Sequence, residues 1–236
     1  MGGSVGHRGV GGIFSRRNKC LVVTLIFTIA LLIFLMNAGL FSNVSSYTGE
    51  LCKVDDIPLQ KNLNKKKFSG NWFVSNIKGL DNKLLATMMD FSDVKINFVY
   101  KDENNYDIRS VGGKMYGWWC PIGEGHVPTK DNNSPQKMQI FFDTSTGKKF
   151  GTKDLWVVKT DYTSYTILYS CWDVTSDGRC EAKGAYLAVL KRNTDPLPQS
   201  VLDEINSTVQ KCCINPGSLR VVRHDGYCKK EHVEIS

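Results

Sequence analysis

From residue 68 onward, apolar and polar positions alternate in short runs separated by turn residues, a period-2 pattern that predicts β-strands. The first run opens at Phe68-Ser69-Gly70-Asn71-Trp72-Phe73, where Gly70 ends a Lys-rich stretch and aromatics alternate into Val74. The pattern predicts strands over 72–77, 91–100, 106–111, 117–120, 138–143, 155–160, 165–173 and 184–190. Met138, Ile140 and Phe142 share one face of their strand, and Tyr165, Ile167 and Tyr169 share one face of theirs. Polar turns fall at 101–105, at 161–164 and at Asp177-Gly178. The stretch 80–89 fits a loop or a helical turn, and 121–135 reads as a long polar loop with Gly, Pro and Asn. One helix follows the strands. Pro196 and Pro198 precede a stripe of Val201, Leu202, Ile205 and Val209, and Asn215-Pro216-Gly217 lies beyond its end. Residues 219–222 read as a short extra strand. Consecutive strands joined by short turns predict a mostly β fold, an up-and-down antiparallel barrel or a sandwich.

Upstream the pattern changes. Residues 1–19 are Gly-rich, basic and aperiodic, and read as a disordered cytosolic tail. Residues 20–36 carry no charge, and apolar character resumes over 38–41. About 20 such residues cross a bilayer as a helix. Arg16, Arg17 and Lys19 precede the run, so the positive-inside rule keeps the N-terminus cytosolic and translocates the rest. The expected organisation is a tail at 1–19, a transmembrane signal anchor at 20–41, a linker at 42–51 and a folded domain at 52–236. That describes a single-pass type II membrane protein with an extracellular or lumenal domain. The alternative is a signal peptide cleaved near Val44-Ser45-Ser46, giving a secreted domain. In either compartment Asn43, Asn132 and Asn206 stand in glycosylation sequons.

Charge and cysteine usage narrow the function classes. The net charge is +7, and Arg8, Arg16, Arg17 and Lys19, with no acid before residue 47, contribute +4 of it, leaving +3 for the remainder. That is a solubility-level charge and argues against nucleic-acid binding. The Lys65–Lys67 run reads as a solvated loop. Seven cysteines follow the anchor: Cys52, Cys120, Cys171, Cys180, Cys212, Cys213 and Cys228. In an oxidising compartment they imply three disulfides and one leftover thiol. Cys171 and Cys180 flank the Asp177-Gly178 turn and can staple that hairpin. Cys212 falls nearer the centre of the helical stripe than Cys213, by a small phase difference. No zinc site is expected: there is no CxxC pair, and His126, His224 and His232 are scattered.

Gly70-Asn71-Trp72 on the first strand, Thr160-Asp161-Tyr162 before the seventh, Lys191-Arg192 after the eighth and then a helix together resemble the lipocalin family. The resemblance is strongest to its plasma retinol carriers. It is carried by residues 52–73, by 156–180 and by His224-Asp225-Gly226-Tyr227-Cys228, and is poorest over 80–150. It implies an eight-stranded barrel with a helix packed outside. It also implies disulfides Cys171–Cys180 and Cys120–Cys228, and a third joining Cys52 to Cys213 or Cys212. Gly70, Trp72 and Arg192 (or Lys191) would close the barrel base, the cation lying over the indole.

For function, the resemblance implies non-covalent binding, transport or storage of one small hydrophobic molecule, retinol or a related retinoid, inside the barrel. Candidate lining residues are Met138, Ile140 and Phe142 by register, Tyr186 on the last strand, and Leu84 and Leu85 in a loop over the open end. Where the retinol carriers have a histidine before Trp156, this chain has Leu155. A polar group near the mouth would orient a hydroxyl or carboxylate. No cofactor beyond such a lipophile is expected, no strand is expected to carry a His for haem, and no protein partner is assigned. The lipocalin isomerase chemistry needs a thiol on an early strand, and none lies between Cys52 and Cys120, so an enzyme is not expected. Two alternatives remain: a membrane-tethered interaction module, and a carrier of another lipophile such as a fatty acid or bilin.

Overall fold

The computed structural model describes residues 52–79, 89–90, 92–112, 114–115, 120, 122–143, 151–181 and 184–229. The chain divides into two compact units, Met1–Thr48 and Gly49–Ser236, and all described residues belong to the second. The anchor at 20–41, Asn43, Leu84 and Leu85 lie outside the described residues, and so does most of the strand expected at 117–120. Among the described residues no helix is long and apolar enough to cross a membrane.

Eight strands build the domain: β1 (Gly70–Lys78), β2 (Lys95–Asp102), β3 (Asn105–Val111), β4 (Ile122–Pro128), β5 (Lys137–Phe142), β6 (Lys153–Thr160), β7 (Tyr165–Cys171) and β8 (Ala185–Lys191). Each pairs antiparallel with the next, and β8 returns to β1 through Phe73↔Lys191 to Lys78↔Leu187. That closure makes a barrel and excludes the sandwich. A ninth, two-residue strand, β9 (Arg220–Val221), adds to β1 through Asn76↔Val221. Bulges between Val74 and Asn76 in β1 and between Val157 and Lys159 in β6 break the ladder register, and such bulges bend strands toward closure.

Alternation along each strand divides the core in two. Trp72, Val74, Phe98, Tyr106, Ile108, Val127, Met138, Val157, Leu168 and Leu190 face inward and pack together. Tyr165, Ile167, Tyr169, Leu187 and Val189 face outward, where Ile205, Val209 and Cys212 cover them. The latter three belong to or directly follow helix α2 (Gln199–Lys211). The aromatic face of β7 therefore serves the helix interface and not the cavity. Leu202, placed in the helical stripe, is 38% exposed.

Three expectations need correction. The polar loop expected at 121–135 contains β4. Its inward positions are Gly123, Gly125 and Val127, and two glycines in a row of alternates conceal the apolar period. For the same reason a histidine does lie on a strand. His126 of β4 points outward, its Nδ1 2.8 Å from Asp107 and its Nε2 3.3 Å from Asp143. Finally, Lys65 is not solvated. It opens a one-turn helix, α1 (Lys65–Phe68), capped by the Asn64 side chain, which accepts from the Lys67 N–H at 3.0 Å. Lys65 is 3% exposed, donates to the Glu103 carbonyl at 2.6 Å and to the Thr129 hydroxyl, and lies over the Tyr106 ring. Burial lowers its pKa, opposed by Glu103 and Asp102.

Disulfides join Cys52 to Cys213, Cys120 to Cys228 and Cys171 to Cys180. Cys212 is free and buried. Asn132 sits exposed in the turn between β4 and β5, and Asn206 on the exposed side of α2.

Candidate ligand-binding site

The barrel has a sealed end and a looser one, and the inward side chains record the gradient. At the sealed end α1 folds under the strands. Phe68, Trp72, Phe98 and Tyr106 are at most 1% exposed and meet mostly edge-to-face, with centroids 5.1 to 6.1 Å apart along the Phe68–Phe98, Phe68–Trp72, Phe98–Tyr106 and Phe68–Tyr106 pairs. Their polar atoms are satisfied. Trp72 Nε1 donates to the Phe68 carbonyl at 2.8 Å, and the Tyr106 hydroxyl donates to the Lys65 carbonyl at 2.8 Å. Burial pushes the Tyr106 pKa well above its ordinary value.

Arg192 locks this floor. Its guanidinium carbon lies 3.6 Å from the centroid of the Trp72 ring. Its nitrogens donate to the carbonyls of Lys67, Phe68, Ser69, Asn71 and Tyr162 at 2.8 to 3.2 Å. A planar guanidinium suits this arrangement because one face stacks while the edge donates. Lys191 points elsewhere, toward the carbonyls of Thr194 and Asp195. Beside the floor, the Asp161 carboxylate accepts from the N–H groups of Thr163, Ser164 and Tyr165. Burial would raise its pKa, yet these donors hold it below the ordinary aspartate value.

Toward the other end, the same inward rows become half-buried at Ile77, Ile96, Ser110, Ile140, Phe142, Leu155, Tyr186 and Ala188. These positions ring the upper barrel, and most are apolar. Glycines make room for the two largest. A Cβ on Gly123 would lie 3.1 Å from the Phe142 ring, and one on Gly79 would lie 2.2 Å from the Tyr186 ring. Gly79 also holds φ at +121°, a conformation that glycine adopts readily. Of the residues expected to line the site, Ile140, Phe142 and Tyr186 fall in this ring. Met138 is fully buried one layer deeper and forms part of the floor beneath it.

Two residues of the rim were not foreseen. Trp172, just past β7, stacks on Tyr186 with centroids 4.1 Å apart, and its Nε1 donates to the Ser170 hydroxyl at 3.1 Å. Lys153 opens β6, pairs with Ile140 and so faces inward, with Nζ 4.8 Å from the Trp172 ring centroid. The signal for Lys153 was its parity with Leu155 and Val157, concealed because a lysine at a strand start reads as the end of a turn. Among the described residues no cluster of His, Cys, Asp or Glu is placed to hold a metal ion.

No protein-family model matches the chain. Purpurin of Gallus gallus is 24% identical over 195 residues, spanning 81% of this chain and 95% of purpurin. Retinol-binding protein 4 of Gallus gallus is 25% identical over 187 residues, 78% of this chain and 91% of that protein. These alignments run through a chain whose eight strands close as one barrel with an external helix and a Trp–Arg floor. The chain resembles these lipocalins in fold and, at low identity, along most of its sequence. Among solved structures, lobster apocrustacyanin A1 superposes on this chain with a TM-score of 0.58 at 15% identity, over 79% of this chain and 96% of that one.

Proposed function

We propose that this chain is a lipocalin, that it binds, without covalent chemistry, a small hydrophobic molecule in the upper half of its barrel, and that the molecule is retinol or a related retinoid. The observation that carries the reading is the contrast between a tightly packed floor and a half-buried apolar ring above it. Desolvating apolar surface on ligand and wall supplies the affinity, on the order of 25 cal/mol per Å² buried. The retinol-binding protein among the relatives supports the retinoid choice, and the domain is a carrier rather than an enzyme. Among the described inward-facing positions there is no thiol, and the free Cys212 lies outside the barrel.

The test is a fluorescence titration of the 49–236 unit with all-trans retinol, with oleate and biliverdin as competitors. Saturable one-to-one binding at submicromolar concentration is expected, with Phe142→Ala weakening it about tenfold through lost apolar contact. Binding of biliverdin or oleate alone would reassign the lipophile. Binding of none of the three would remove the carrier reading and leave an interaction module.

The domain acts outside the cytosol, behind a signal anchor at 20–41, and bears a glycan at Asn206. The charge-free run after Arg16, Arg17 and Lys19 and the three disulfides support this placement. In cells the full chain is expected in the alkaline-carbonate membrane pellet, with a glycosidase-sensitive mobility that Asn206→Gln reduces. Recovery of the protein from the medium with a new N-terminus after residue 41 would replace the anchor by a cleaved signal.

A further inference from the structure

We infer that Lys153 makes this site selective for lipophiles ending in an anion, a carboxylate above all, over neutral alcohols of the same shape; the inference rests on the barrel being a lipophile site. The placement follows from register. Met138 pairs with Leu155 and Ile140 with Lys153, and both Met138 and Leu155 belong to the inward cluster, so Lys153 continues their row one step nearer the rim. Among the described inward-facing strand positions it is the one cation, and none of those positions carries an acid.

Its charge is not neutralised by a neighbouring carboxylate. Among the described residues Lys153 has no ion pair, while the adjacent Asp154 faces outward and meets Lys130 at 3.6 Å. The contact that Lys153 makes is with the Trp172 ring, itself stacked on Tyr186. A half-buried ammonium resting on an aromatic face keeps only part of the stabilisation that a counter-ion would give. The same aromatic pair walls the half-buried ring. A guest whose apolar body lies against Ile140, Phe142, Leu155 and Tyr186 would thus bring its end group to the rim, within reach of Nζ. A carboxylate there gains a charge-assisted hydrogen bond and removes an uncompensated charge. A hydroxyl gains a weaker bond and leaves the charge as it was. Ser170 does not substitute for Lys153, because its hydroxyl already donates to the Asp154 carbonyl and accepts from Trp172.

The test uses the full chain in phospholipid nanodiscs, with empty discs as the blank, titrated with all-trans retinoic acid and with all-trans retinol. The wild type is expected to bind the acid about tenfold tighter than the alcohol, the size of one hydrogen bond to a charged group. Lys153→Gln should abolish that preference by weakening the acid about tenfold while leaving retinol within about twofold, and Lys153→Arg should restore it. Equal or tighter binding of retinol by the wild type, or equal weakening of both ligands in Lys153→Gln, would overturn the assignment while the barrel reading stands. If the wild type binds neither retinoid, nor oleate, both the barrel reading and the role of Lys153 fall together.

Discussion

Trp72→Ala should lower the stability of the 49–236 unit by roughly 3–5 kcal/mol, the range for truncating a buried aromatic. Three losses coincide. The indole is wholly buried, so its removal leaves a cavity against Phe68. The Arg192 guanidinium, 3.6 Å from the ring, loses its stacking surface. The Phe68 carbonyl loses the indole N–H and keeps only the Arg192 contact at 3.2 Å. Chemical denaturation of wild type and variant under non-reducing conditions measures the difference. A loss below about 1 kcal/mol would mean that α1 and its neighbours can collapse into the space. Val99, 45% exposed on β2, provides the control: Val99→Ala should change stability by no more than about 0.5 kcal/mol.

Removing the Cys52–Cys213 bridge comes next in size. The two residues are 161 apart in sequence, so the bridge closes most of the domain into one loop and excludes many unfolded conformations. For loops beyond 100 residues the chain-entropy estimate is about 4–5 kcal/mol, with measured values lower in many proteins. Cys52→Ser combined with Cys213→Ser should therefore cost about 2–5 kcal/mol. Cys212 offers no rescue in the single variant Cys213→Ser. It is 1% exposed beneath α2, and burial pushes its thiol pKa up to about 12, so at neutral pH it is a thiol and not the attacking thiolate. Counting free thiols in the unfolded single variant should give two, Cys52 and Cys212, one more than in the wild-type unit. A count of none, one fewer than wild type, would show that Cys212 has taken the place of Cys213.

Where side chains alternated in chemistry as well as in direction, the barrel was legible in the sequence. β5, β6, β7 and β8 announce themselves because large apolar residues recur at every second position. β4 did not, because what the barrel needs at Gly123 and Gly125 is the absence of a side chain, and an absence carries no hydrophobic signal. A Cβ on Gly125 would lie 2.1 Å from the Phe141 carbonyl oxygen, so the strand exists through residues that look like loop. Lys65 misled for a different reason. Its charge suggested solvent, but its ammonium is met by a carbonyl, a hydroxyl and a ring, contacts made by Glu103, Thr129 and Tyr106 that no local pattern connects to it. The half-buried ring was half legible. Phe142 and Tyr186 follow from strand parity, whereas the Trp172–Lys153 contact depends on how two strand ends meet across the rim. The choice between Cys212 and Cys213 turned on helix phase alone, and the structure puts the buried position at Cys212, leaving Cys213 at φ +55° to reach Cys52.

The floor built by Phe68, Trp72 and Arg192 also has a kinetic meaning. A vessel sealed at the bottom has no back door, so a guest leaves by the path it entered. An incoming molecule cannot push the resident one out ahead of it, and turnover must be dissociative. The rate at which a bound label is lost should then be independent of how much competitor is added, and substitutions in the floor should alter how long the protein lasts rather than how long its cargo stays.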